Sequence, residues 1–590
     1  MRTYLMGFFN GVIALLIVAG GAALFFLKPY SGNQAEEKVF AKVERLTSAP
    51  SLKAHTKTFT KRIEEPVPGV HVAIGYGLAN VVIVEAREGL IVVDTLESMR
   101  AAETLLPWLN ELRNNTGKSI TDIIYTHNHA DHVFGAGVLV RDQANKPRIW
   151  AHQNTASRVH DVVNILRPII FKRSMRQFGT YLPKESFENS GIGPFLDNDH
   201  DAGVHFLEPT NTVDKQSKVN IAGEEVLFQH APGETSDQLM VYFPDRNILL
   251  PADNYYHAFP NLYAIRGTPY RDVNRWAQSI DSMIALNSEI MIPQHTQPVI
   301  GANTIRERLT NYRDAIQFVH DQTIRFINKG MTADEIVAQL KLPPHLANAP
   351  YLQPFYGRVD WSVRAVFSGV LGWFSGNPED LIPVSKTRES ELITRLAGGT
   401  ERLHEEFQKA MQDGEPQWAL VLATHLKRIG EKSADSLRAR ALRALGEKEI
   451  SANGRNYFLT SAAEADGFVI PKSQAPSTPE AVLNAIPIDN YLNALQIGLK
   501  AENVLDIETA FGFQFTDLKT PYTIRIRRGI AIVEHGLTEG RAGTLVCESS
   551  VFKQLAANRL TAAAALLSGD LKVEGGPIAL QTFLDYFEKP

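Results

Sequence analysis

The chain has 590 residues, 44% apolar and 21% charged, which excludes a disordered or collagen-like polymer and exceeds what one hydrophobic core serves. A net charge of −5 leaves no electrostatic footprint for nucleic acid. The single cysteine, Cys547, excludes an internal disulfide and a cysteine-rich zinc site, so any metal must be held by histidines and carboxylates.

Residues 3–27 carry no charge, and residues 8–27 (FFNGVIALLIVAGGAALFFL) have the length of a bilayer-spanning helix. Arg2 supplies the positive flank that stays in the cytoplasm. The apolar stretch is longer than that of a cleaved signal peptide and ends in LFFLKP, a poor cleavage site. The expectation is an uncleaved inner-membrane anchor with the bulk of the chain periplasmic; the alternative is secretion to the periplasm after cleavage.

After a polar stalk, residues 79–85 (ANVVIVE) and 90–94 (LIVVD) read as the strands of a hairpin, and residues 123–126 as a buried strand running into a histidine-rich loop. Further strands fit residues 225–230, 238–243, 247–250 and 289–293, with helices between, which indicates an α/β layered domain. From about residue 302 the texture turns helical, over 304–328, 333–340, 389–413 and 416–445, the last two resembling antiparallel helix pairs. Residues 471–479 (PKSQAPSTP) read as a linker, and beyond it residues 522–534 (YTIRIRRGIAIVE) alternate as one half-buried strand. Helices follow at 561–567 and after Gly576. The expected divisions are 1–34 for anchor and stalk, 35–302 for the α/β domain, 303–470 for a helical domain, and 471–590 for linker and last domain.

The chemistry concentrates in residues 126–135 (THNHADHVFG), where His127, His129, Asp131 and His132 crowd four metal-ligand side chains into six residues. In an extended loop, positions two apart point the same way, so His127 and His129 can close on one ion while Asp131 and His132 face a second. Two metals about 3.5–4 Å apart make hydroxide available near neutral pH and stabilise an anionic transition state, which argues for hydrolysis. His152, His230 and His257 lie near these motifs and are expected only to hydrogen-bond.

The HxHxDH run resembles the metallo-β-lactamase superfamily, and other landmarks of that group follow in order. Asp94 in IVVDT looks like its carboxylate that steadies a ligand histidine, Pro232-Gly233-Glu234 like its Pro-Gly-His turn with a carboxylate for the histidine, Asp253 like its metal-bridging aspartate, and His295 like its last histidine. The resemblance implies one metal on His127, His129 and Glu234 and another on Asp131, His132 and His295, with Asp253 between them; Asp237 competes with Glu234. Asp131 and Asp253 are thereby the catalytic carboxylates. Two Zn²⁺ are expected, and iron or manganese would also fit.

The carboxylate at Glu234 is similar to the alkylsulfatase branch of the superfamily. So are residues 253–271 (DNYYHAFPNLYAIRGTPYR), residues 372–378 (GWFSGNP) and the end of the chain, SGDLKVEGGPIALQTFLDYF. This implies a metallo-β-lactamase αββα sandwich, then an α-helical dimerisation domain, then an α+β domain resembling sterol carrier protein 2. The implied activity is metal-dependent hydrolysis of alkyl sulfates by a homodimer, with Arg266 and Arg271 holding the sulfate beside Asn261 and Tyr263. The substrate would be a small amphiphilic ester. The C-terminal domain either gathers the alkyl tail or only packs. One departure stands out: Trp361, in YGRVDWS, occupies the place of the family's proton-donating histidine, with Asp360 a possible substitute. Alternatives on the same fold are a lactonase, β-lactamase or phosphodiesterase, or a lipid-binding scaffold with a vestigial metal site.

Overall fold

The computed structural model of the chain describes residues 46–588 apart from 165, 200 and 470–479. Two sheets form the first domain. One runs β1 (Arg62–Val67), β2 (Val70–Ile74), β3 (Val81–Glu85), β4 (Leu90–Val93), β5 (Ile120–Ile124), β6 (Arg148–His152) and β7 (Asn211–Val213), side by side in that order. The other comprises β8 (Gln216–Ile221), β9 (Glu224–His230), β10 (Leu239–Phe243), β11 (Ile248–Leu250), β12 (Ile290–Met291) and β13 (Val299–Ile300), again in sequence order.

Each strand faces two ways, and both faces are apolar. Val70, Val72, Val82, Ile91 and Ile124 pack between the sheets against Val226, Phe228, Leu239 and Val241. The alternate positions Ile83, Val92 and Ile123 meet Leu105 and Leu109 of the outer helices, and Met240 and Leu249 meet Trp276, Ile280 and Tyr312. That is the continuous apolar strand pattern of sheets covered on both faces. The result is an αββα sandwich. β3 and β4 form the expected hairpin, with Val82 opposite Val93, whereas β4 to β7 pair in parallel. Parallel strands end together, so the loops after β4 and β5 meet at one rim; the metal motif is the loop after β5.

The helical region is built as its glycines dictate. Residues 389–413 divide into Lys386–Ala397 and Thr400–Gln412 at Gly398 and Gly399, both at positive φ, and Pro416–Arg428 is separated from Ala434–Lys448 by a turn containing Gly430, also at positive φ. The last domain has a sheet ordered β16 (Ile530–His535), β15 (Tyr522–Arg527), β14 (Glu508–Phe515), β17 (Gly543–Cys547), β18 (Leu571–Glu574). Here the expectation of one strand over 522–534 is corrected. Arg528 and Gly529, both at positive φ, fold the segment into the β15–β16 hairpin. Phe511, Phe513, Phe552 and Phe583 pack its interior, with Phe511 and Phe583 stacked at 5.1 Å.

The membrane expectation is also corrected. Among the described residues no helix is long and apolar enough to cross a membrane. The longest, Ala302–Ile327, is 26 residues but is crossed by charges including Arg306, Arg308, Arg313, Asp314 and Asp321. The segment 8–27 lies outside the described residues, as does the linker 471–479. A transmembrane anchor, a cleaved signal and the periplasmic location inferred from them are therefore not retained.

Candidate metal centre

The loop after β5 is pinned by Asp94, itself at φ 60 just beyond β4. Asp94 Oδ1 accepts from the Thr126 amide and Oδ2 from the Thr126 hydroxyl, each at 2.8 Å. Its Oδ2 also accepts from His132 Nδ1 at 2.8 Å. Because the Thr126 hydroxyl donates to Asp94, its oxygen accepts from His127 Nδ1, 3.1 Å away. One carboxylate thus sets two imidazoles, His132 directly and His127 through Thr126. His295 is set separately, its Nδ1 donating to the Leu78 carbonyl at 3.0 Å. In each of these rings Nδ1 is turned to its acceptor and Nε2 points inward; His127 Nε2 lies 3.0 Å from His129 Nδ1, while those of His132 and His295 have no hydrogen-bond partner.

Those inward atoms converge. His127, His129 and Asp253 form one group of ligand atoms mutually within 4.8 Å, and Asp131, His132 and His295 form another. Asp253 Oδ2 stands between them, 3.8 Å from His127 Nε2, 3.6 Å from His132 Nε2 and 3.2 Å from His295 Nε2. His132 Nε2, His295 Nε2, Asp253 Oδ1 and Glu234 Oε2 are buried without a hydrogen-bond partner. Burial holds the His127 and His129 imidazoles well below the ordinary value, which keeps them neutral. Against burial, the carboxylates Asp131 and Asp253 hold the His132 and His295 imidazoles above the ordinary value, an attraction for positive charge at the centre. Imidazoles, buried carboxylates and unpartnered inward atoms are what a pair of divalent cations requires, so the donor set fits.

Glu234 falls outside both groups. Its Oε1 accepts from Arg271 Nη1 at 2.5 Å, its Oε2 is bare, and burial pushes its carboxyl up to about 8 against the pull of Arg271. Asp237 accepts from the Thr155 hydroxyl at 2.9 Å and is likewise outside the groups. Arg271 also donates to the Asn261 carbonyl, leaving its Nε and Nη2 buried and unpartnered beside the Asn261 amide, which has no partner at either atom. Arg266 Nη2 lies 3.2 Å from His129 Nε2. Tyr263 is only partly buried. The other histidines are bonded elsewhere: His152 stacks on His230 at 4.4 Å, and His257 contacts Gln297 at 2.6 Å and Arg308 at 3.2 Å. Asp360 is held by Arg358 through two bonds of 2.9 and 3.0 Å, and the same guanidinium covers the Trp361 ring at 5.4 Å.

Sequence reasoning missed the Leu78 peptide and Glu97. The Leu78 amide donates to both Glu97 oxygens, at 3.2 and 3.1 Å, so Glu97 anchors the residue whose carbonyl orients His295. Glu97 is buried, its carboxyl raised to about 8 by that burial. It lies three residues beyond Asp94 in a run read only as a strand end, with no metal-ligand spacing to mark it.

Comparison with known proteins decides the family. Residues 74–295 match the metallo-beta-lactamase superfamily, residues 332–467 alkyl sulfatase dimerisation, and residues 476–590 the alkyl sulfatase C-terminal domain. A linear primary-alkylsulfatase of a Pseudomonas species is 34% identical over 523 residues, covering 86% of this chain and 98% of that one. The chain belongs to the alkylsulfatase family. An alkyl/aryl-sulfatase of Saccharomyces cerevisiae is 28% identical over 87% of this chain and 80% of its own length. The solved structure of a stereoselective inverting sec-alkylsulfatase from a Pseudomonas species superposes with a TM-score of 0.83 at 25% identity, covering 94% of this chain and 89% of that one. This alkylsulfatase-family member is accordingly a metal-dependent hydrolase of the sulfuric-ester class, and the lactonase, β-lactamase, phosphodiesterase and scaffold alternatives are not favoured.

Proposed function

We propose that this chain hydrolyses sulfate esters of alkyl alcohols at a two-zinc centre held by His127, His129 and Asp253 on one side and Asp131, His132 and His295 on the other, with Glu234 joining through its bare Oε2. Bound divalent cations supply Lewis acidity that makes water nucleophilic near neutral pH and offsets anionic charge. The observation that carries the reading is the pairing of these inward bare ligand atoms with unpartnered guanidinium and amide donors on the Asn261–Arg271 loop. Arg271 offers Nε and Nη2, and Asn261 its amide, to the sulfate oxygens. Were His129 to hold a metal through Nδ1, its Nε2 would carry the proton and could not accept from Arg266, which would leave that guanidinium for the sulfate as well. Imidazole and carboxylate donors favour zinc.

A homodimer is part of the proposal. The region matched by the dimerisation model exposes Trp373 at 76%, Ile382 at 91% and Leu396 at 84%, apolar surface that a second copy would cover. The test is sulfate release from dodecyl sulfate by the zinc-loaded protein, with His129→Ala as the blank. Release lost in the blank supports the reading; none from protein shown to hold two metals would overturn it.

A further inference from the structure

The loop carrying Arg266 has no regular secondary structure, so its direction must be set from outside. Two side chains one turn apart on the helix Arg167–Phe178 meet it at a single peptide unit. Arg173 Nη2 donates to the Ile265 carbonyl at 2.6 Å, and Gln177 Oε1 accepts from the Arg266 amide at 2.9 Å. A trans peptide points its carbonyl and amide in opposite directions, and residues four apart on a helix share one face, so the pair straddles the peptide and holds both ends. A peptide gripped at both polar groups cannot rotate its plane, which fixes the direction in which the Arg266 side chain leaves the backbone. The approach is close: a Cβ on Gly267, at φ 106, would meet Ile170 at 3.2 Å. The helix is itself braced from behind by Arg176, which donates to both Glu464 oxygens at 2.7 and 2.9 Å. Gln177 is fully buried, and its Nε2 and the Arg173 Nε have no partner. Burying such groups is costly, so the pair is not explained as ordinary packing.

We propose that Arg173 and Gln177 are positioning residues for sulfate binding, acting together by clamping the Ile265–Arg266 peptide so that the Arg266 guanidinium is delivered to the sulfate. The inference rests on the proposed role of Arg266 in holding the sulfate. A group that binds the sulfate equally in the ground and transition states affects KM rather than kcat.

The experiment compares wild type, Gln177→Met, Arg266→Ala and the double variant on octyl sulfate, with zinc content and thermal midpoint measured for each. Methionine keeps the volume of Gln177 and removes the acceptor. Gln177→Met should raise KM about tenfold, the binding worth of one lost hydrogen bond, with kcat within about twofold and zinc content unchanged. In the Arg266→Ala background the same substitution should add nothing, because the clamp acts through that side chain. Should Gln177→Met fold poorly, Arg173→Gln, which keeps a donor for the Ile265 carbonyl, is expected to hold KM near wild type, whereas Arg173→Met raises it. An unchanged KM in Gln177→Met, or fully additive effects in the double variant, would overturn the clamp. If Arg266→Ala leaves KM unchanged, the sulfate role of Arg266 fails; if it raises KM and Gln177→Met does not, only the clamp fails.

Discussion

Asp94 and His132 share a hydrogen bond of 2.8 Å in which the ring Nδ1 donates to Oδ2, and the same oxygen takes the Thr126 hydroxyl whose oxygen receives His127. The carboxylate therefore selects the tautomer of two rings, one in each group of ligand atoms. Asp94→Asn would not substitute for it. All three neighbours of Asp94 donate, and an amide nitrogen would confront one of them with another donor. Either Asp94→Asn or Asp94→Ala should weaken zinc binding about 10–100-fold, as loss of a partner behind a ligating histidine typically does. Competition with a chromogenic chelator measures it; wild-type affinity in both variants would remove Asp94 from the centre.

The Leu78 peptide gives a prediction confined to one half of the centre. Its carbonyl receives His295 Nδ1, and a Cβ placed on Gly193 would sit 2.1 Å from that carbonyl oxygen. Gly193→Ala must push the peptide aside, at about 1–3 kcal/mol for an overpacked interior. His295 then loses its orienting acceptor while His127 keeps the Thr126 hydroxyl and His132 keeps Asp94. The expected outcome is one tightly held zinc and one loosely held zinc per chain, read by titration with elemental analysis. Equal loss of both would show that the substitution acts through general unfolding.

What was legible in the sequence, and what was not, follows from the range of the interactions. His127, His129, Asp131 and His132 declare themselves because their spacing is local, and the apolar strands because burial on both faces leaves continuous runs. Arg528-Gly529 escaped notice inside a run whose alternation continues through the turn, so period alone could not show the hairpin. Glu97, Arg173 and Gln177 act on backbone groups distant in sequence, Leu78 and the Ile265–Arg266 peptide, and a side chain that serves a backbone group leaves no pattern in its own neighbourhood. Glu234 shows the reverse case. Its turn was legible, but its partnership with Arg271 depends on a loop 37 residues away.

Removing the metals should destabilise the first domain specifically. Its centre holds His127, Asp131, His132, Asp253 and His295 out of water, and His132 Nε2, His295 Nε2 and Asp253 Oδ1 have no hydrogen-bond partner. A ligand present at 100 times its dissociation constant stabilises the folded state by about 2.7 kcal/mol per site. For a domain of this size each kcal/mol shifts the midpoint by about 2–4 °C. Stripping both zincs with a chelator should lower one calorimetric transition by roughly 10 °C or more on that scaling, leaving the C-terminal transition in place. A transition insensitive to chelator would mean that the centre is empty at working concentrations.

His55 supplies a pH dependence outside the set of ligands. Its ring stacks on Phe355 at 4.0 Å and meets Phe59 edge-on at 5.0 Å, and its Nε2 donates to the Gly191 carbonyl at 2.8 Å. Burial lowers it from 6.5 to about 4, with the Gly191 bond opposing; His257, which feels its charge, is also lowered to about 4, chiefly by burial. The folded chain therefore keeps His55 neutral where the unfolded chain protonates it. Its contribution is intact above the unfolded value of about 6.5, falls as pH drops from there toward 4, and levels off below that. The whole effect is of the order of 3 kcal/mol before screening by solvent at this partly exposed site. His55→Gln keeps a donor for Gly191 and cannot titrate. Its denaturation midpoint should decline less steeply than wild type between pH 6.5 and 4, while the two curves run parallel above pH 7. Curves parallel over the whole range would mean that His55 is protonated in the folded state as readily as in the unfolded one.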